Sequence, residues 1–219
     1  KSVPVAAGIF DQILHDLVEP HHQTLSWGDR LLTLDKSAGF KDDSQFKHAV
    51  GQCQSSTGAN QYSSPDGIAW RLNTLIWAGR CALKVSGDFV ECGVYQGDMS
   101  WVVSEMVDLP RAGKTFYLYD TFEGFSPKYS SAADFPDAPE LLDASDRVYK
   151  VPQLYEFVRD RFSAKPYVKV TKGVVPDVLH ELSPAKIAFL HIDMNSPDAE
   201  TGALNVLFDR VSSGGFIIF

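Results

Sequence analysis

The chain has 219 residues, 44% of them hydrophobic and 22% charged, with a formal net charge of −8. That length suits one domain with an extension or two small domains, and the composition is that of a globular protein with a real core, not a disordered chain. The 28 acidic residues outnumber 20 basic ones and no Lys/Arg run occurs, which argues against a nucleic-acid partner and for a neutral or cationic small ligand. No apolar run reaches the ~18–20 residues of a membrane span, so no membrane partner is expected. The start, Lys1-Ser2-Val3-Pro4, shows no basic segment leading into an apolar stretch. Three cysteines (Cys53, Cys81 and Cys92) without a Cys-x-x-Cys pair argue against a disulfide framework or a thiolate zinc site, and point to a reducing, cytoplasmic compartment.

The first third reads as helical, and residues 1–86 are expected to form a helical extension. Ile9, Phe10, Ile13, Leu14, Leu17 and Val18 recur at helical spacing up to Pro20. A second stripe runs through Ile68, Leu72, Leu75, Ile76 and Leu83. Residues 51–67, polar and rich in Ser, Gln and Gly, are expected to form a mobile loop.

From Gly87 the pattern changes. Short apolar or β-branched runs at 88–92, 115–120, 167–171, 186–192 and 215–219 predict strands. Between them, Met99, Val102, Val103 and Met106 mark one helix, ended by Pro110. Leu154, Phe157 and Val158 after Pro152 mark a second. Leu204, Leu207, Phe208 and Val211, stopped by Gly214-Gly215, mark a third. Strands alternating with helices predict an α/β fold with a doubly wound, mostly parallel sheet over residues 87–219. The connection over about 121–150 is too long for a turn and is expected to be a lid or insertion. The sequence stops inside an apolar strand, so a natural continuation is expected beyond Phe219.

Three strand ends carry the chemistry. Glu91-Cys92-Gly93-Val94-Tyr95-Gln96-Gly97 is an acid-x-Gly-x-x-x-Gly turn opening a helix. The dinucleotide fingerprint Gly-x-Gly-x-x-Gly fails, because Tyr95 and Asp98 stand at its second and third glycine positions, and no Gly-Lys-Ser/Thr ending makes a phosphate loop. Asp120 ends the second strand, where an acid can accept hydrogen bonds from ribose hydroxyls. A glycine turn followed by a strand-end acid indicates an adenosine-type cofactor. Asp193 ends strand 186–192, and His191 shares its side of the strand. A role for His191 as base competes with simple packing, and Asn195 fits a turn as well as a ligand contact. Trp70, Trp77 and Trp101 fall at helical positions and read as core. Arg71 suits a carboxylate ligand or a structural ion pair equally, and His21-His22 reads as loop.

Val90–Gly97, Asp120-Thr121-Phe122-Glu123-Gly124-Phe125 and Leu190-His191-Ile192-Asp193-Met194-Asn195, with Trp70-Arg71-Leu72-Asn73 and Trp77-Ala78 upstream, resemble the macrocin/mycinamicin-type sugar O-methyltransferases. These are class I S-adenosylmethionine-dependent methyltransferases with a Rossmann-like fold, and the likeness runs from about Ile68 to Phe219. The resemblance implies methyl transfer from S-adenosylmethionine to a hydroxyl of a small molecule, a sugar of a natural product or glycoconjugate. It implies that Glu91, Gly93, Val94, Tyr95 and Gly97 surround the methionine end of the cofactor. It also implies that Asp120 binds the ribose, that Thr121 and Phe122 lie beside the adenosine, and that Gly173-Val174 lie near the adenine. Asp193 would act in catalysis and help hold a divalent metal, usually magnesium, with His191 as a second catalytic candidate. Two other readings stay open: a catalytically silent cofactor-binding protein, and a nicotinamide-dependent oxidoreductase supported only by Asp120 and the doubly wound layout. The acceptor's identity and the oligomeric state, a homo-oligomer included, are not legible.

Overall fold

The computed structural model describes residues 25–28, 31–57, 67–131 and 140–219, together with Gln12, Asp16 and Asp134. The apolar positions of the expected first helix, Ile9 to Val18, and the His21-His22 pair lie outside the described residues. Two compact units make up the chain, Lys1–Asn73 and Thr74–Phe219.

In the first unit, the expectation of a helical extension is corrected over residues 25–28 and 31–34: β1 (Leu25–Gly28) and β2 (Leu31–Leu34) form an antiparallel pair. A 3-10 turn, Gly39–Asp42, leads into α1 (Ser44–Thr57). Asp43 caps this helix, its Oδ1 accepting the Phe46 N–H at 2.8 Å. The expected loop at 51–67 is therefore corrected over its first part, since 51–57 are helical. Phe46, Ala49 and Cys53, three and four residues apart, are all buried, and this narrow seam holds an otherwise polar helix. Residues 58–66 of that segment lie outside the described residues.

Helix α2 (Ala69–Ala82) contains the division between the units. Its later residues Leu75, Ala78 and Ala82 are buried in the core of the second unit, which places the division ahead of the composition change at 86/87.

The second unit is built on a wholly parallel five-stranded sheet ordered β5-β4-β3-β6-β7. Its strands are β3 (Asp88–Cys92), β4 (Phe116–Asp120), β5 (Val168–Lys172), β6 (Ile187–Ile192) and β7 (Val211–Ile218). The connecting helices are α3 (Asp98–Met106), α4 (Leu109–Ala112), α5 (Glu140–Tyr149), α6 (Leu154–Arg161), α7 (Leu179–Leu182) and α8 (Pro197–Leu207). Alternate residues of β3 serve opposite layers. Phe89 joins a core with Phe116, Phe189, Val103 and Val158, whereas Val90 and Cys92 join one with Leu179, Leu190, Ala203 and Leu207. Both faces are thus covered by helices, as a parallel sheet requires. All six residues of β6 are buried, which is why this strand reads as an apolar run broken only by His191.

Two expectations are corrected here. The last helix ends at Leu207, and after a 3-10 turn, Phe208–Arg210, the strand begins at Val211 and runs through Gly214-Gly215. Val211 pairs with Ile187 and Phe216 with Phe189, so the two glycines sit in a bulge inside the strand instead of stopping a helix. Trp77 is not core: it is 58% exposed and meets Phe216 edge-on at 5.3 Å. Trp101 is half-buried between the Arg161 and Lys165 cations. No described helix is long and apolar enough to cross a membrane.

Candidate active site

The chain enters the sheet at its centre with β3, moves outward through β4 and β5, then returns to the other side of β3 with β6 and β7. This reversal opens a crevice beyond the carboxyl ends of β3 and β6, the place where doubly wound sheets bind ligands. The strand-end residues singled out by the sequence border it.

The turn after β3 has left-handed backbone at Gly93 (φ 89°), Tyr95 (φ 50°) and Gly97 (φ 76°). Gly93 is required by a close approach. A Cβ there would overlap the Asp193 carbonyl oxygen and lie 2.7 Å from its carbon, while the Asp193 N–H donates to the Cys92 carbonyl at 2.9 Å. The β3 and β6 loops are therefore in backbone contact.

Asp120, at the end of β4, reaches across to the same turn. Its Oδ2 accepts the N–H groups of Val94 (2.7 Å) and Tyr95 (2.8 Å), and its Oδ1 accepts the Phe122 N–H at 2.7 Å. Successive N–H groups converging in this way form a nest for an anion, and here the anion is the chain's own carboxylate. The Thr121 hydroxyl donates to the Gly124 carbonyl at 2.5 Å. Phe122, expected beside the adenosine, is 3% exposed with its ring in the core against Tyr155. Gly173 donates to the Asp120 carbonyl at 2.9 Å and packs closely on Val178, with Val174 half-buried beside it.

Glu91 and His191 are register partners on β3 and β6, and both are buried. His191 Nδ1 lies 2.8 Å from Glu91 Oε1, and the Ser100 hydroxyl of α3 donates to Oε2. Burial raises the Glu91 pKa, the His191 bond opposes this, and the charges of Asp193 and Asp120 add to the rise. Three acids from neighbouring strand ends thus share one negative field. Burial likewise raises the Cys92 thiol, which stays protonated. Asp193 is half-buried and Asn195 exposed, with Asn195 Nδ2 donating to the Tyr149 hydroxyl at 3.3 Å. Arg71 is exposed. Among the described residues no three His, Cys, Asp or Glu side chains converge as a metal site.

The described part of the 121–150 connection lies over the loops of this crevice. Ser196 donates to the Tyr129 carbonyl at 2.6 Å, and Ser130 donates to the Ser196 hydroxyl at 2.9 Å. Tyr149 meets Tyr95 edge-on at 5.2 Å and Phe125 at 5.5 Å. Asp146 Oδ1 accepts the Phe125 N–H at 2.8 Å. Residues 132–133 and 135–139 lie outside the described residues. Sequence reasoning missed Ser100, Tyr149 and Ser196. Only Ser100 carried a signal, in the first turn of the helix that follows the glycine turn.

The sheet order, the helices on both faces and the acid-bordered crevice define the Rossmann-like fold of class I methyltransferases. Solved structures agree on the fold: the O-methyltransferase NovP aligns with TM-score 0.61 at 17% identity over 83% of this chain and 84% of its own. The calicheamicin methyltransferase CalS11 aligns with TM-score 0.55 at 15% identity over 83% and 77%.

The chain belongs to the macrocin-O-methyltransferase (TylF) family, whose model matches residues 72–219. A relative from Streptomyces olivaceus, 8-demethyl-8-(2,3-dimethoxy-alpha-L-rhamnosyl)-tetracenomycin-C 4'-O-methyltransferase, is 28% identical over 139 residues, 61% of this chain. The match spans about half of that relative, 52% of its length.

Proposed function

We propose that this chain transfers the methyl group of S-adenosylmethionine to a hydroxyl oxygen of a small, sugar-bearing molecule, in the cytoplasm. The observation that carries the reading is the glycine turn whose N–H nest is already filled by Asp120, among the acids Glu91 and Asp193. Such a site repels phosphate and favours a cofactor that carries a cation and none. Family membership supports the same cofactor and reaction class. The rhamnosyl group in the Streptomyces olivaceus relative's name supports a sugar acceptor. None of the three described cysteines forms a disulfide, which suits a reducing compartment.

Bound S-adenosylmethionine supplies an electrophilic methyl carbon, and the chain's residues supply alignment of oxygen, carbon and sulfur. In this reading Gly93, Val94, Tyr95 and Gly97 border the methionine end through their backbone, with Glu91 supporting them from behind. Asp120 and Thr121 lie at the ribose, and Gly173-Val174 near the adenine. Asp193 removes the proton of the acceptor hydroxyl, and its place at the end of β6 sets it on the crevice. His191, bonded to Glu91, holds that strand end in place and does not meet the acceptor. No step is routed through a metal.

The test is transfer of labelled methyl from S-adenosylmethionine to a panel of L-rhamnosyl and other glycosides. Labelled methyl ether is the expected product. Cofactor binding without transfer to any acceptor would instead favour a silent binding protein.

A further inference from the structure

Asp120 has a hydrogen-bonding balance that limits what it can hold. A carboxylate offers about four lone-pair positions. The Val94 and Tyr95 N–H groups fill both positions of Oδ2, and the Phe122 N–H fills one of Oδ1. The Thr121 hydroxyl lies 3.4 Å from Oδ1 but spends its proton on the Gly124 carbonyl. One position is left, enough for a single ribose hydroxyl and not for two. The partners of Oδ2 come from a turn more than twenty residues upstream, held in left-handed backbone at Tyr95. Similar N–H nests cradle phosphate in other nucleotide-binding folds.

We propose that Asp120 is a specificity-determining residue that acts as a built-in anion. Its carboxylate occupies the nest formed by Val94 and Tyr95, fixes the turn on which the cofactor lies, and thereby excludes cofactors that would place a phosphate there. The inference rests on the methyltransferase reading for the cofactor's identity, but not for the nest. Removing the carboxylate opens an anion site that a small carboxylate or inorganic phosphate can refill.

The experiment compares the unaltered chain with Asp120→Ala and Asp120→Asn. Thermal midpoints are followed during titration with sodium formate or inorganic phosphate, against sodium chloride at matched ionic strength. Formate and phosphate are expected to raise the midpoint of the Ala variant by several degrees and leave the unaltered chain unmoved. S-adenosylhomocysteine affinity of the Ala variant is expected to fall about tenfold to a hundredfold, with partial recovery in formate. An equal response of both proteins to formate and phosphate overturns the proposal. If the Ala variant does not fold, hydrogen exchange decides on the Asn variant. Its neutral amide oxygen holds the two N–H groups more weakly, so Val94 and Tyr95 should exchange several-fold faster, and unchanged protection overturns the proposal. Failure of the unaltered chain to bind S-adenosylhomocysteine would sink the methyltransferase reading, while the formate and phosphate shifts would still decide the nest.

Discussion

Replacing Gly93 by Ala perturbs a point where the β3 and β6 loops touch backbone to backbone. Gly93 has φ 89°, and a left-handed conformation costs an L-residue about 1–2 kcal/mol. The added Cβ would overlap the Asp193 carbonyl oxygen and lie 2.9 Å from Met194 Cγ. A carbonyl cannot rotate away as a flexible side chain can, so the two strand ends must part. Overpacking of that kind costs about 1–3 kcal/mol. The Asp193–Cys92 hydrogen bond goes with it, for about another 1 kcal/mol. The sum is about 3–6 kcal/mol, and its lower end alone lowers the thermal midpoint by about 6–12 °C in a chain of this size. Gly113 supplies the control, since its φ is also positive, 65°, but a Cβ there meets nothing within 4 Å. Gly113→Ala should therefore cost only the backbone component, about 1–2 kcal/mol. The assay is thermal unfolding of both variants by circular dichroism, with S-adenosylhomocysteine titration of each. Equal midpoints for the two variants, or full cofactor affinity in Gly93→Ala, would refute the reasoning that the two loops share this contact.

Glu91→Gln keeps the acceptor for Ser100 but removes a carboxylate whose pKa burial raises. The folded state of the unaltered chain holds its proton longer than the unfolded one, so the stability tied to protonated Glu91 is present at acid pH and lost as pH rises through the raised value. The Gln variant's midpoint should accordingly gain on the unaltered chain as pH increases, and a gap independent of pH would contradict this. Arg161→Met removes the guanidinium 2.5 Å from Asp98 in a site where both side chains are less than a tenth exposed, and should cost about 3–5 kcal/mol in denaturant unfolding. Adding Asp98→Asn should recover part of that loss; a double variant as unstable as the single one would show the pair is not coupled. Asp193→Asn should reduce methyl transfer at least a hundredfold while S-adenosylhomocysteine affinity stays within about threefold. Normal turnover in that variant would assign Asp193 a structural role.

The strands of the five-stranded sheet were legible because a parallel strand covered on both faces is a short apolar run, whereas β1 and β2 were not read from the sequence. The run at 88–92 coincides with β3, and 186–192 differs from β6 by one residue. Helix α1 was hidden because its buried seam is only Phe46, Ala49 and Cys53, set in a polar surround that reads as loop. The start of β7 was hidden because Val211 continues the apolar period of α8, and only the 3-10 turn through Asp209 and Arg210 breaks the register. The positions of the strand-end acids followed from sequence, but their partners did not. Glu91 meets His191 through strand register across a hundred residues, and Asp120 meets Val94 and Tyr95 through the turn's left-handed backbone. No local spacing encodes either contact.

The central claim is that this crevice accepts an adenosine cofactor bearing a cation and no phosphate. Calorimetric titration of the unaltered chain with S-adenosylmethionine, S-adenosylhomocysteine and NAD in parallel tests it most directly. Saturable binding of the first two at one site per chain, with no heat from NAD, is the result expected. Binding of NAD in their place, or of none of the three, would contradict it.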